Sequence, residues 1–378
     1  MAYSAIALDL GAHEEILKSL WCENLSDPGI SQAKERRVKW LYGENPAGPS
    51  RTFLVDDVSR DGLVGCASAY PREVVARGKH LRAGVLSDFA VKRSHRAAGA
   101  AVTVQRAIAS ASRGAGTALL YGYPNKASMP IFKRLGYKVV GEASDHIKPL
   151  RAGAYLDRLI KPRLEKHAGN LAPWLSEHAL PGVVRVGGIL ADIGVGLAER
   201  AARYGLGFDL VFEDTSRADG RFDALWERAQ GRTAIEHPRD SAYLNWRYSD
   251  FTTTRYRFFA ASSRRTGRLV GYVVYSAPRD SSDGWVNAAD LFVEDKSVHL
   301  DPLLAAFASA MRGEGHKAVC IAHVGNPELP ARLARHGFVP RKNGRFLMVQ
   351  VLEGAPADLD EIAYLETSWS MLDGELDI

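Results

Sequence analysis

Apolar residues along this chain switch between two rhythms. Ala101, Val104, Ile108 and Ala111 fall on one face of a helix, and so do Leu300, Leu303, Leu304, Phe307 and Met311. Further helices are predicted over 14–25 and 222–230. Denser apolar runs lie between, RTFLV with GLVGCASAY and YRFFA with LVGYVVY, joined through the turn signals SRDG and RRTG. Each reads as a hairpin-like strand pair. A further strand then ends at Val91 or Val293 and hands over to a helix. A short strand (TALLYGY or KAVCIAHV), a last helix and a last strand follow.

The same order of elements thus occurs twice, and individual residues repeat with it. Trp40 and Tyr42 recur as Trp246 and Tyr248, and a strand glycine follows each tryptophan, Gly65 and Gly271. Asp88-Phe-Ala-Val91 is echoed by Asp290-Leu-Phe-Val293, and Asn125 with Gly136 by Asn326 with Gly337. Leu20-Trp21 is echoed by Leu225-Trp226. All these offsets lie between 201 and 206 residues. The expected domains are 1–150, a connector over 151–209 that carries the breakers NLAPW and ALPG, a second unit over 210–355, and a C-terminal extension over 356–378.

Composition changes this picture little. The 378 residues are 46% apolar and 25% charged, ordinary for a globular chain with a sizeable core. Cys22, Cys66 and Cys320 match neither a metal spacing nor a disulfide framework, so no metal is expected and a reducing cytoplasm is. No secretory signal is read at the start. The net charge of +5 is too mild for a nucleic-acid partner and suits anionic small molecules. The most apolar stretch, 183–198, is too short to span a bilayer and carries Arg185 and Asp192. It reads as a surface-packing connector, with an interfacial membrane contact as the alternative.

The chemistry concentrates after Val91, in KRSHRAAGAA. A helix start presents unsatisfied backbone N–H groups and the positive end of a dipole, and small residues let a phosphate approach them. Arg96, Gly99 and Ala101 supply that shape beside Lys92, Arg93 and His95. A plain basic strand–helix turn has the same composition. The order of motifs resembles the GNAT superfamily of acetyl-CoA-dependent N-acyltransferases. Arg96-Ala97-Ala98-Gly99-Ala100-Ala101 is similar to its acyl-CoA signature, and Asn125, Phe132, Gly136 and Tyr137 to its later motif. The second copy extends the resemblance to a tandem GNAT: an α/β chain of two units, each a mixed twisted sheet with flanking helices and a splayed central strand pair.

The resemblance implies acetyl-CoA as cosubstrate. The pantetheine arm would lie along Phe89, Ala90 and Val91, and the diphosphate on the amides of 97–101. Asn125, Ser128 and Phe132 would complete the cofactor site. A backbone N–H near Phe89 would hold the oxyanion, and an amine would attack the thioester directly. Phe132 stands where many relatives place a proton-donating tyrosine, so solvent suffices for the leaving thiolate or Tyr123 or Ser128 substitutes as general acid. Asp88 is the candidate base, although its echo Asp290 favours a structural role. Glu73 and Tyr70 are expected to face the cleft from the strand opposite, and His95 to be a phosphate neighbour or a solvated turn residue. Trp40 is expected in the core, and the GENPAGPS loop is left open.

The second copy has EDKSVHLDP where the first has its basic loop, so Glu294 and Asp295 are expected to repel a diphosphate there. NPAG after Trp-x-Tyr, HPRDSAYLNWRY and the ending SWSMLDGELDI resemble GNAT-like proteins of surface-polysaccharide biosynthesis, which implies a small-molecule or amino-sugar amine as acceptor. The acidic ending has a plainer reading as a solvated terminus. A Fem-type aminoacyl or peptidyl transferase and a non-catalytic ligand-sensing or scaffold protein are the alternatives.

Overall fold

The computed structural model describes residues 3–25, 29–59, 62–96, 99–151, 209–248, 254–277 and 284–375. The stretch 183–198 and most of the expected connector lie outside them. No helix among the described residues is long and apolar enough to cross a membrane.

The first copy opens with strand β1 (Tyr3–Ala7), missed from sequence, then helices α1 (Leu10–Asn24) and α2 (Ile30–Lys39). Asp9 caps α1 by accepting the Gly11 N–H at 3.0 Å. Strands β2 (Arg51–Asp57), β3 (Gly62–Ala76) and β4 (Lys79–Val91) form an antiparallel meander. Helix α3 (Ala100–Gly114), strand β5 (Leu119–Gly122), helix α4 (Met129–Arg134) and strand β6 (Lys138–Pro149) complete it. The hydrophobic face expected on α3 is buried at Ala101, Val104 and Ile108.

The second copy repeats the order. It runs through β7 (Leu210–Thr215), α5 (Gly220–Ala229), the short β8 (Ile235–Glu236), α6 (Ser241–Arg247), β9 (Tyr256–Ser263), β10 (Leu269–Ser276) and β11 (Trp285–Val293). Then come α7 (Leu300–Gly313), β12 (Ala318–Gly325), α8 (Glu328–Arg335) and β13 (Val339–Val351). Leu300, Leu303, Leu304, Phe307 and Met311 are all buried, as the periodicity of α7 predicts. A tail follows with helix α9 (Leu359–Ala363) and strand β14 (Ser370–Leu372).

The last strands do not close their own copies. β6 pairs with β12 of the second copy, β13 pairs with β5 of the first, and β6 and β13 pair with each other. The main path of the fourteen-stranded sheet among the described residues reads β1-β2-β3-β4-β5-β13-β6-β12-β11-β10-β9-β7. Its two halves mirror one another strand for strand.

The Trp-x-Tyr repeat meets itself at the centre of that mirror. The Trp40 and Trp246 rings stack at 4.4 Å with planes 6° apart. Each indole N–H donates to the other tryptophan's carbonyl, at 2.8 and 3.0 Å. Trp40 is therefore core, as expected. A buried indole must find an acceptor, and here each copy supplies the other's. Tyr70 packs against both rings and is 1% exposed, so it belongs to this seam and not to a cleft.

Candidate functional site

Parallel pairing between β4 and β5 lasts for three residues only, Ala83, Gly84 and Val85 against Leu119, Leu120 and Tyr121. Beyond them residues 86–91 keep β3 as their only sheet neighbour. Alternate backbone N–H groups on the far side of this segment therefore have no strand to bond. The β3–β4 register shifts between Cys66 and Ser68, and Asp88 takes the left-handed φ of 52° at that bulge. The divergence leaves a cleft of about 220 Å3 lined on one wall by Leu86, Ser87, Asp88 and Phe89 and on the other by Gly122, Tyr123, Asn125 and Ser128. Leu25 and Ile30, from the α1–α2 connection, line it as well.

From Val91 the chain turns into α3. Gly99 stands at the helix N-cap with φ 93°, a left-handed conformation that a side chain makes costly. Among the described residues nothing lies within 4 Å of where its Cβ would be, so on their side the backbone is open to approach. Arg96 folds back and donates its Nε–H to the Val91 carbonyl at 3.0 Å, which holds the turn closed. Ala100 and Ala101 are buried against the sheet, as are Ala90 and Val91. Ala97 and Ala98 lie outside the described residues.

Phe132 is 3% exposed and meets Phe89 edge-to-face at 5.8 Å, so the two rings form an apolar part of the cleft wall. The Asn125 Oδ1 accepts from the Ala127 and Ser128 N–H groups at 3.1 and 3.0 Å. It also accepts from the Ser128 hydroxyl, at 3.0 Å. Asn326 does the same in the second copy, accepting from Glu328 N–H at 2.9 Å. This repeated asparagine thus starts a helix in both copies. The Tyr123 hydroxyl donates to Met371 Sδ at 3.4 Å, and burial pushes its pKa well above the usual phenol value.

Asp88 is 3% exposed and forms a buried ion pair with Arg37 of α2, whose Nε donates to Oδ1 at 3.1 Å. Asp290 makes the matching pair with Arg239, at 3.1 Å. The pairing occurs in both copies, including the one without the loop. Asp88 thus ties α2 to the bulge that aims the strand.

Three expectations are corrected. His95 is not solvated: it is 7% exposed, with Nδ1 at 2.9 Å from the Tyr3 hydroxyl. Strand β1, unseen in the sequence, covers it. Glu73 and Tyr70 do not line the cleft: Tyr70 lies in the seam, and Glu73 points to a different groove beside His80. The acidic ending is not a solvated terminus. Trp369 and Met371 are fully buried, and Glu375 is 1% exposed.

The tail explains why the two clefts differ. β11 and β12 part after Ala288 and Ile321, as β4 and β5 do. There β14 pairs with β12 through His323, Val324 and Gly325, taking the edge that the first copy leaves unpaired. A Cβ on Gly325 would lie 2.1 Å from the Trp369 carbonyl oxygen. A Cβ on Gly122, in the wall of the open first cleft, would approach Leu86, at 3.1 Å. What is left beside β11 measures about 60 Å3. Glu375 anchors the insertion: its carboxylate lies 3.0 Å from His237 Nδ1, 3.1 Å from Arg239 and 3.5 Å from Arg72. Against the opposing effect of burial, Arg239 foremost, then the hydrogen-bonded His237 and Arg72, hold the Glu375 pKa far below its usual value. Glu294, expected to repel an anion, is neutralised by Arg228 at 3.0 Å and Arg268 at 2.7 Å.

Sequence reasoning missed Arg37, the α1–α2 wall and Met371. The equal spacing of Arg37 to Asp88 and Arg239 to Asp290, 51 residues in each, was a signal that could have found the ion pairs.

Residues 25–140 match the family model described as "Acetyltransferase (GNAT) domain". No curated protein matches the sequence. Among solved structures, a conserved protein of unknown function from Enterococcus faecalis V583 aligns with TM-score 0.61 at 12% identity, over 93% of this chain and 73% of that one. A GCN5-related N-acetyltransferase from Anabaena variabilis gives 0.60 at 10%, over 93% and 73%. A tandem GNAT protein from the clavulanic acid biosynthesis pathway gives 0.52 at 14%, over 94% of this chain and all of that one. These likenesses establish the fold.

Proposed function

We propose that this chain, a tandem-GNAT fold with an acetyltransferase domain over residues 25–140, moves an acetyl group from acetyl-CoA to an amine in its first cleft. The observation that carries the reading is the splay itself. An unpaired strand edge borders a cleft of about 220 Å3 and runs directly into a helix whose N-cap glycine has a left-handed backbone. The cleft suits the acyl end and pantetheine arm of the cosubstrate, and Gly99, Ala100 and Ala101 offer N–H groups to its diphosphate.

Reaction requires the amine to attack the thioester carbonyl carbon. A C–N bond forms, the C–S bond breaks, the thiolate leaves, and the amine gives up a proton to solvent. An N–H near Phe89 stabilises the oxyanion, and the Phe89–Phe132 wall keeps water from the reacting carbon. Asp88 and Arg37 position that strand. Ser128 and Asn125 shape the far wall. No protein group is needed to protonate the thiolate, since thiols titrate near pH 8.5.

The acceptor enters from the side of Leu25 and Ile30. An amino sugar is the acceptor favoured by the sequence resemblance, and a cytoplasmic location accords with acetyl-CoA as donor. Thiol release from acetyl-CoA, followed over a panel of amines that includes glucosamine and its nucleotide-linked forms, tests the reading. Release that depends on one amine class and disappears in Gly99→Glu is the expected result. Tight acetyl-CoA binding without turnover on any amine would favour a ligand-sensing protein instead.

A further inference from the structure

The GENPAGPS loop plays no part in the cleft. It walls a different groove. Asn45 pins it to β3 by donating to the Pro71 carbonyl at 3.1 Å and accepting the Ala47 N–H at 2.9 Å. Ser50 donates to the Leu41 carbonyl at 3.2 Å. Two adjoining hollows of about 520 and 110 Å3 open beside it and share Ala47, Pro71, Arg72 and Glu73. The larger is lined by Arg51, Arg72, Arg82 and His80.

The charges in this groove are poorly compensated. Arg51 makes no ion pair among the described residues, and Arg82 touches only the Ala115 carbonyl, at 3.4 Å. Partial burial and the nearby Arg82 push the Arg51 pKa down. Glu73 is taken by His80, and Asp240 is taken by the α6 N-terminus, where it accepts from Tyr243 N–H at 2.7 Å. Between the two hollows lies Arg72, 4% exposed, its guanidinium 4.4 Å from the Tyr243 ring. Its Nε–H is buried without a hydrogen-bond partner, and so is the Tyr243 hydroxyl. Buried donors are seldom left unbonded without a reason. Here a preformed wall and two guanidiniums without an ion pair among the described residues line the larger hollow, and Arg72 and Tyr243, each with a buried donor that lacks a hydrogen-bond partner, line the smaller.

We propose that this groove is a second ligand site, separate from the acyl-transfer cleft, for a small molecule carrying a phosphate group. Arg51 and Arg82 grip the oxyanion with their planar forks. Arg72 and Tyr243, one from each copy, read the rest of the ligand in the smaller hollow.

Calorimetric titration of glucose 6-phosphate, which has no amine and cannot serve as an acceptor, tests this. It is run without acetyl-CoA, with Gly99→Glu as the control for phosphate entering the first cleft, and inorganic phosphate is titrated in parallel. Binding at one site is expected, weakened about tenfold by Arg51→Ala and by Arg82→Ala and unchanged in Gly99→Glu. Arg51→Lys, which keeps the charge and loses the fork, should fall between. Equal affinity for inorganic phosphate would identify free phosphate as the ligand, and preference for the ester a phosphorylated metabolite. Both outcomes support the site. No binding, or binding lost in Gly99→Glu but retained in both arginine variants, overturns it. Arg51 and Arg82 are not buried, so a matching urea midpoint for each variant keeps a loss of binding distinct from a loss of fold.

Discussion

In the first copy two parallel strands part and leave a cleft of about 220 Å3; in the second the same two strands part and the chain's own tail lies along the free edge. Both copies share the sheet order, the arginine–aspartate pair, the asparagine cap and the seam tryptophan. The difference lies in what meets the divergence. The first copy has Gly99 in a left-handed conformation at an open helix start. The second has Glu294 and Asp295 in the turn, and Trp369 to Glu375 packed in the gap. A splay exposes backbone polar groups that must be satisfied. The first copy leaves residues 86–91 of β4 paired with β3 alone among the described residues, and in the second β14 pairs with β12 inside the gap.

The sharpest way to break this comparison is to remove the anchor of the tail. Glu375→Ala leaves Arg72, His237 and Arg239 without their shared carboxylate, and the expected loss is about 3–5 kcal/mol, read as a lower urea midpoint. In the first copy, Gly99→Glu places a side chain and a negative charge at the helix start. Acetyl-CoA affinity should fall by at least about a hundredfold while the urea midpoint changes little.

Two glycines, one beneath the tail and one in the wall of the open cleft, sharpen the contrast. Gly325→Ala combines φ 121° with a Cβ 2.1 Å from the tail backbone, and should cost about 3 kcal/mol. Gly122→Ala meets only the Leu86 side chain and backbone, at 3.1 and 3.3 Å, and should cost about 1 kcal/mol or less.

Acid should also loosen the tail before the cleft. Burial, followed by the charge of Arg72, pushes the His237 pKa down to about 4 from 6.5. Burial, followed by His146, pushes His323 down to about 3. Both are neutral in the fold and bind a proton more readily when unfolded. Stability is therefore full above about pH 6.5 and declines as pH falls towards those values, by about 2 kcal/mol for each histidine between about pH 7 and about pH 5. Urea midpoints across that range check it, and replacing His323 by Asn should flatten the slope. The smallest effect is expected from Glu294→Gln with Asp295→Asn. Removing those charges should create no second acetyl-CoA site, because the tail still fills the gap.

Much of this could be read from the residues. The strand ends at Val91 and Val293, the buried faces of α3 and α7 and the core role of Trp40 follow from periodicity and from the repeat. The exchange of β6 and β13 could not be read so, because a strand's alternation is the same whichever neighbour it pairs with. The tail misled for a related reason. Its aspartates and glutamates suggest solvent, yet Trp369 and Met371 are buried, and Glu375 is buried beside Arg72, His237 and Arg239, all distant from it in sequence. Arg37 lies 51 residues before Asp88, and only the fold brings the two together.

Isothermal titration of acetyl-CoA into the full chain, with the number of sites as the quantity read, tests the central claim most directly. One site per chain, lost in Gly99→Glu, is the predicted result. Two sites would mean that the tail yields to ligand and that the copies are functionally alike. No saturable binding would mean that the first cleft serves something other than acyl-CoA.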